Sequence, residues 1–104
     1  MMNFFAGLWA SWLLGSAGRA LAEGDRHGAR RSYSRILRIG LRSPVPQGAW
    51  MVACVRLTQI TDIADTQEAR LVSDSEALFN HDQATRARYL ALKTDLDAPE
   101  RRVW

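Results

Sequence analysis

Arginines recur along one predicted helix at a spacing that brings them to a single face. Arg31, Arg35, Arg38 and Arg42 stand at i, i+4, i+7 and i+11, and an α-helix turns about 100° per residue. Guanidinium groups form paired hydrogen bonds with carboxylates and phosphates, so this arginine stripe suits an anionic partner. An ordinary solvent-exposed face, partly paired with acids elsewhere in the chain, would have the same pattern. The stripe is therefore a candidate partner-binding surface, with the solvated face as the alternative.

The anionic partner of the arginine stripe would be an acidic protein segment, a phospholipid surface or nucleic acid. Nucleic-acid surfaces usually interleave aromatic side chains with basic ones. Tyr33, the aromatic residue of this predicted helix, lies on the face opposite the stripe. Nucleic acid is therefore not expected. We expect a protein partner with an acidic surface, and keep homo-oligomerisation and attachment to a membrane surface as alternatives.

Side chains that commonly carry catalysis or bind metals are few and scattered. His27 and His81 lie far apart, and neither has a Cys, Glu or His at metal-ligand spacing. Cys54 lies in an apolar run, where a free thiol usually packs as a small hydrophobic group. The glycines match no phosphate-binding loop. The sequence therefore predicts no catalytic, cofactor-binding or metal-binding residues, no cofactor, and a protein that is not an enzyme.

Charge is unevenly distributed along the 104 residues. The net charge is +3, but residues 1–57 carry eight Arg against two acids, whereas residues 58–104 carry six basic residues against nine acids. The apolar fraction of 47% and the charged fraction of 24% are typical of a globular protein rather than a disordered one. The single cysteine excludes an internal disulfide. We therefore expect one folded domain whose N-terminal half is basic.

The first 18 residues contain no charged side chain, and three interpretations compete for them. A signal peptide is favoured by the Ala20-Leu21-Ala22 pattern but lacks a basic start, and a membrane anchor is marginal because a span needs about 20 apolar residues. A helix of the domain itself is favoured by an apolar arc that faces away from small residues. We expect the domain helix, with the arc against the core and its two tryptophans making apolar partner contacts where they are exposed. The arc consists of Phe5, Leu8, Trp9, Trp12 and Leu13.

Apolar periodicity and helix-stop signals predict an all-α domain of about five antiparallel helices over residues 4–22, 26–41, 47–63, 66–79 and 83–96. Asp25, Asp65 and Asp82 are predicted to cap the second, fourth and fifth helices. The domain is expected to span residues 1–98, followed by a flexible tail at 99–104. The predicted buried residues of the last two helices are Leu71, Val72, Leu78 and Phe79, and then Ala84, Ala87, Leu90 and Ala91.

The segment from residue 20 to residue 37 resembles the centre of a tetratricopeptide repeat. The resemblance lies in the Gly24-Asp25 turn, the small Ala29 and the aromatic Tyr33 four residues later. A second unit starts forty residues further on, with Ala69 in the place of Ala29. The resemblance implies a right-handed array of helix hairpins with the fifth helix as a C-terminal cap. It also implies a binding scaffold, because such repeats usually present a helical surface to a peptide or protein.

These observations predict a small, non-enzymatic interaction or adaptor domain that binds a partner protein or associates with itself. The polar contacts are expected from the arginine stripe and the apolar contacts from Trp9 and Trp12. The alternative is a membrane-associated accessory or assembly protein anchored by its apolar N-terminal helix. A cytoplasmic location is expected, with membrane association or export through that helix as the alternative.

Overall fold

The computed structural model describes residues 2–43, 45–60 and 66–97, and within these ranges the protein is all-α. The helices are α1 (Met2–Ala22), α2 (Arg26–Arg42), α3 (Gln47–Ile60), α4 (Thr66–Phe79) and α5 (Gln83–Asp97). Apart from the end of α3, the predicted helices begin and end within two residues of these bounds. The predicted cap Asp65, the predicted end of α3 at residue 63 and the tail at 99–104 lie outside the described residues.

The turn between α1 and α2 and the start of α5 follow the sequence signals. Gly24 has a φ of 83°, a left-handed conformation that glycine adopts without steric cost. The Asp25 carboxylate then accepts a hydrogen bond from the backbone N–H of Gly28 at 2.9 Å, which caps α2. At α5, the Asp82 carboxylate accepts from the backbone N–H and the hydroxyl of Thr85 at 3.0 and 2.9 Å. Both predicted caps are confirmed.

The helices form two rows. Each helix contacts the next one along the chain, and further contacts join α1 to α3, α3 to α5, and α2 to α4. The odd-numbered helices therefore make one row and the even-numbered helices the other. Among the described helices, the extensive contacts are confined to first and second neighbours along the chain. These contacts are the ones that successive helix hairpins would make.

The core lies between the two rows and contains a repeated pairing of a small residue with an aromatic residue four positions later. Ala29 and Tyr33 form this pair in α2, and both are buried. Ser75 and Phe79 form it in α4, and Thr85 and Tyr89 form it in α5. Aromatic rings connect the helices, since Phe79 lies 4.8 Å from the ring centroids of both Trp50 and Tyr89. The remaining buried apolar residues are Ala10, Leu13, Ala17, Ile36, Leu37, Met51, Ala53, Cys54, Val55 and Leu57.

The prediction for the buried face of α1 is wrong. Leu13 is buried as expected, but its buried neighbours are Ala10 and Ala17. The other described members of the predicted arc, Leu8, Trp9 and Trp12, are exposed, and the Phe5 side chain lies outside the described side chains. Helix α1 is apolar on nearly all sides, so periodicity does not single out one face. Small residues at the contact allow α2 and α3 to approach closely, and the bulky indoles are left outside.

The predicted faces of α4 and α5 are also partly wrong. In α4, Phe79 is buried and Leu78 is exposed. The small residue of the second unit was expected at Ala69, but Ala69 is exposed and Ser75 is the buried one. In α5 all four predicted residues (Ala84, Ala87, Leu90 and Ala91) are exposed, and the helix instead buries Thr85 and Tyr89, with Leu92 and Leu96 packed against the core. One tyrosine removes more apolar area from water than any one of these alanines would.

Candidate functional site

A groove runs between α2 and α4, and five of its twelve described lining residues are arginines. It consists of two adjoining cavities of about 330 Å³ each, which share Arg38 and Gln67. Leu41 and Leu71 contribute an apolar floor at the end near the C-terminus of α2. We refer to this feature as the α2/α4 groove. Its complete described lining is His27, Arg30, Arg31, Ser34, Arg38, Leu41 and Arg42 from α2, and Gln67, Glu68, Arg70, Leu71 and Asp74 from α4.

An ion pair holds the two walls of the groove together. The Nη2 atom of Arg30 lies 2.7 Å from Oε1 of Glu68, and its Nε atom donates to Oε2 at 3.2 Å. The side chains are only 25% and 14% exposed, so water screens this two-point contact less than it would a surface pair. Arg30 is thereby a structural residue that positions α4 against α2. Its charge is largely cancelled within the site.

Three of the four predicted arginines meet at the groove, and one does not. Arg31, Arg38 and Arg42 line its α2 wall, and all three are exposed. Arg35 is exposed as well, but it lines neither cavity. The arginine stripe is therefore confirmed as an exposed face. Three of its members line the groove, and Arg35 does not.

Sequence reasoning missed the α4 wall. Arg70 lines the cavity that also contains Arg38 and Arg42. No local pattern relates Arg70 to the stripe, since the residues lie on different helices, and only the contact between α2 and α4 brings them together. The i, i+3 spacing of Gln67 and Arg70 on α4 was the one available signal that both would project to the same side.

The electrostatics of the groove are strongly positive. Its described lining contains five arginines and two carboxylates, which leaves a net charge of +3 with His27 neutral. In the part of the chain that the structure describes, no carboxylate forms an ion pair with Arg31, Arg38, Arg42 or Arg70. Arg31 instead lies 3.4 Å from the Nε2 atom of His27. The guanidinium groups can therefore bind an incoming anion without first breaking a described ion pair.

The other candidate residues, Trp9 and Trp12, form a separate surface on α1. Trp9 is 48% exposed, Trp12 is 62% exposed, and the adjacent Leu8 is 55% exposed. We call these three residues the α1 apolar face. They were expected to make partner contacts only where exposed, and the structure leaves them exposed. None of the described helices is long and apolar enough to cross a membrane.

A partly buried polar cluster joins α3, α4 and α5. The hydroxyl of Tyr89 donates to a carboxylate oxygen of Glu76 at 2.6 Å and lies 3.4 Å from the Sγ atom of Cys54. Lys93 lies 3.7 Å from the same carboxylate and 5.8 Å from the centroid of the Tyr89 ring. Burial raises the pKa of the Cys54 thiol to about 11, and burial with these hydrogen bonds also raises the pKa of Tyr89. The cluster therefore keeps both groups protonated and acts as a structural connection.

The described residues contain no group of three or more His, Cys, Asp or Glu side chains that could hold a metal ion. The α2/α4 groove and the α1 apolar face are the two candidate binding surfaces among the described residues. Comparison with known proteins gives no match, since no family model, no curated protein and no solved structure aligns with this chain.

Proposed function

We propose that this protein is a small, non-enzymatic interaction domain that binds an acidic segment of a partner protein in the α2/α4 groove. The observation that carries the proposal is the set of four groove arginines (Arg31, Arg38, Arg42 and Arg70) without a described ion pair. Carboxylates match guanidinium geometry and form charge-assisted hydrogen bonds with it. The positive groove also raises the rate at which an acidic segment encounters it.

The length of the groove supports an extended or helical peptide as the ligand rather than a small anion. Lining residues on α2 extend from His27 to Arg42, and fifteen helical residues cover about 22 Å. An extended peptide of about seven residues has the same length. The floor of Leu41 and Leu71 suits an apolar side chain among the acidic ones. A segment with several carboxylates and one apolar residue is the ligand that this lining favours.

We also propose that the hairpins form a tetratricopeptide-like array. Supporting features are the left-handed Gly24 turn, the buried Ala29 and Tyr33 pair, and contacts confined among the described helices to first and second neighbours. The matching small and aromatic pair in α4 is Ser75 and Phe79. In this arrangement α5 takes the position of a capping helix.

The direct test is the binding of a fluorescein-labelled peptide of Glu and Asp with one central Leu, followed by fluorescence anisotropy. The double variant Arg38→Gln/Arg70→Gln removes one guanidinium from each wall of the groove. We expect it to weaken binding about tenfold or more, since each side chain contributes a charge-assisted contact. The matched control is Arg35→Gln/Arg86→Gln, which removes the same charge from exposed positions outside the groove lining.

The control should bind the peptide within about twofold of the unmodified protein, because long-range steering alone is weak at physiological salt. Equal losses in the two double variants would mean that overall charge rather than the groove attracts the peptide. That outcome, or no binding by the unmodified protein, would contradict the proposal. Tighter binding of a single-stranded oligonucleotide of equal charge would indicate that the partner is a nucleic acid rather than a protein.

A further inference from the structure

The α1 apolar face is not used by the groove and calls for its own explanation. Leu8, Trp9 and Trp12 are each about half exposed or more, although the same helix buries Ala10 and Leu13. Exposed large apolar side chains that lie next to one another mark an interaction surface more often than isolated ones do. Tryptophan in particular favours a boundary between water and an apolar phase, because its ring is apolar and its N–H is polar.

Arg19 is the one charged residue within helix α1, and the acid Glu23 follows it just beyond the end of the helix. At about 100° per residue, Leu8, Trp12 and Arg19 fall within about 40° of one another on α1. Gly15 lies on the same line, between Trp12 and Arg19. Arg19 is exposed and stands about 10 Å along the helix from Trp12. The face therefore has an apolar end and a cationic end.

A second copy of the protein or an anionic lipid surface could cover this face, and the net charge of the surrounding residues favours one of them. The α1 and α2 hairpin, residues 2–43, contains seven arginines against two acids, a net charge of +5. A second copy docked through the same face would bring two hairpins of like charge together, which costs free energy. An anionic lipid surface instead attracts the hairpin through its arginines while it accepts the indole rings.

We propose that the α1 apolar face docks the protein peripherally on an anionic lipid bilayer. Leu8, Trp9 and Trp12 enter the headgroup boundary, and Arg19 binds lipid phosphate or carboxylate beside them. In this proposal the helix lies along the bilayer surface. Anionic lipids are concentrated in cytoplasmic leaflets, so this docking fits the expected cytoplasmic location. The inference goes beyond the proposed groove function and does not depend on it.

The test uses the full chain and two vesicle preparations, one of phosphatidylcholine alone and one of phosphatidylcholine and phosphatidylserine in equal parts. We expect flotation with the anionic vesicles and a blue shift of tryptophan emission, and much weaker effects with the neutral ones. The variant Leu8→Gln/Trp12→Gln should lower partitioning by about tenfold or more, because two apolar side chains no longer leave water. The matched control is Leu78→Gln/Leu90→Gln, whose leucines are 51% and 48% exposed on other helices.

The control should float like the unmodified protein. Equal flotation of Leu8→Gln/Trp12→Gln and the unmodified chain, or no flotation with anionic vesicles, would overturn the proposal. A dimer in light scattering without vesicles, dissociated by Leu8→Gln/Trp12→Gln, would assign the face to a second copy. The groove variant Arg38→Gln/Arg70→Gln should float as well as Arg35→Gln/Arg86→Gln, so failure of the groove proposal would not be mistaken for failure of this one.

Discussion

Replacement of Gly40 by alanine tests the packing between α2 and α3. A Cβ atom at Gly40 would lie 2.8 Å from two ring carbons of Trp50 and 3.0 Å from a third. Contacts this short require one group to move. The indole is held in place, because its Nε1 atom donates to the hydroxyl of Ser75 at 3.0 Å and its ring packs edge-on against Phe79 at 4.8 Å. The strain therefore falls on the helix contact itself.

Two opposing contributions set the magnitude. Alanine is favoured over glycine by about 1 kcal/mol within a helix. Insertion of a methyl group into a packed contact costs about 1–3 kcal/mol when the neighbours cannot yield. Since Trp50 is fixed by two partners, we take the upper part of that range. We expect Gly40→Ala to lower the free energy of unfolding by about 1–2 kcal/mol, which corresponds to a melting temperature lower by roughly 5–10 °C.

Urea and thermal unfolding followed by circular dichroism give the free energy directly. The matched control is Gly18→Ala, because a Cβ atom at Gly18 of α1 has no neighbour within 4 Å. That variant should be more stable than the unmodified protein by about 0.5–1 kcal/mol, since only the helix preference acts. The two substitutions are chemically identical and are expected to have opposite signs. If Gly40→Ala stabilises the protein as much as Gly18→Ala does, the described contact between α2 and Trp50 is wrong.

Three further predictions follow from the contacts of single side chains. Ser75→Ala should lower the free energy of unfolding by about 1 kcal/mol in urea titrations, because it leaves the half-buried Trp50 N–H without its acceptor. Ser73 is exposed, so the control Ser73→Ala should change the free energy of unfolding little. Cys54 should react with Ellman's reagent far more slowly in the folded protein than in urea, because its thiol is buried. Burial raises the pKa of this thiol to about 11. The free energy of unfolding that the neutral thiol contributes is therefore complete below the usual thiol pKa and is lost as the pH rises toward 11. Hydrogen bonds from Thr85 lower the pKa of Asp82. The stability that the Asp82 cap contributes is therefore complete above the usual Asp pKa and is lost as the pH falls through the lowered pKa. The difference in melting temperature between the unmodified protein and Asp82→Ala should shrink in acid. Rapid labelling of native Cys54, or a difference for Asp82→Ala that does not depend on pH, would contradict these assignments.

The sequence predicted the helices well because their ends carry local signals. Asp25 and Asp82 cap helices as expected, and the segment around Pro46 separates α2 from α3. The buried face of α2 was also predictable, since apolar Ala29 and Tyr33 lie opposite the charged residues. Where one side of a helix is clearly polar, periodicity identifies the side that faces the core.

Burial was not predictable where that contrast is weak. Helix α1 contains one charged residue, so either side could face the core, and the contact with α2 and α3 selected Ala10 and Ala17. In α5 the spacing of the alanines predicted a buried apolar face. Tyr89 is buried instead, and its hydroxyl donates a hydrogen bond to Glu76. The groove depended on the pairing of α2 with α4, a contact between distant segments for which one sequence gives no signal. The α2 wall of the groove could therefore be predicted from the sequence, and the α4 wall with Arg70 could not.

The confinement of extensive contacts to first and second neighbours has a consequence for folding kinetics. Every such contact among the described helices closes a loop of one or two elements, so the entropy lost in bringing the helices together is small. Domains whose contacts are local in sequence fold in microseconds to milliseconds. The two terminal helices also have fewer neighbours than α2 and α3. Amide hydrogen exchange should therefore be fastest in α5, whose extensive contacts among the described helices are with α3 and α4, and slowest at the contact between α2 and α3.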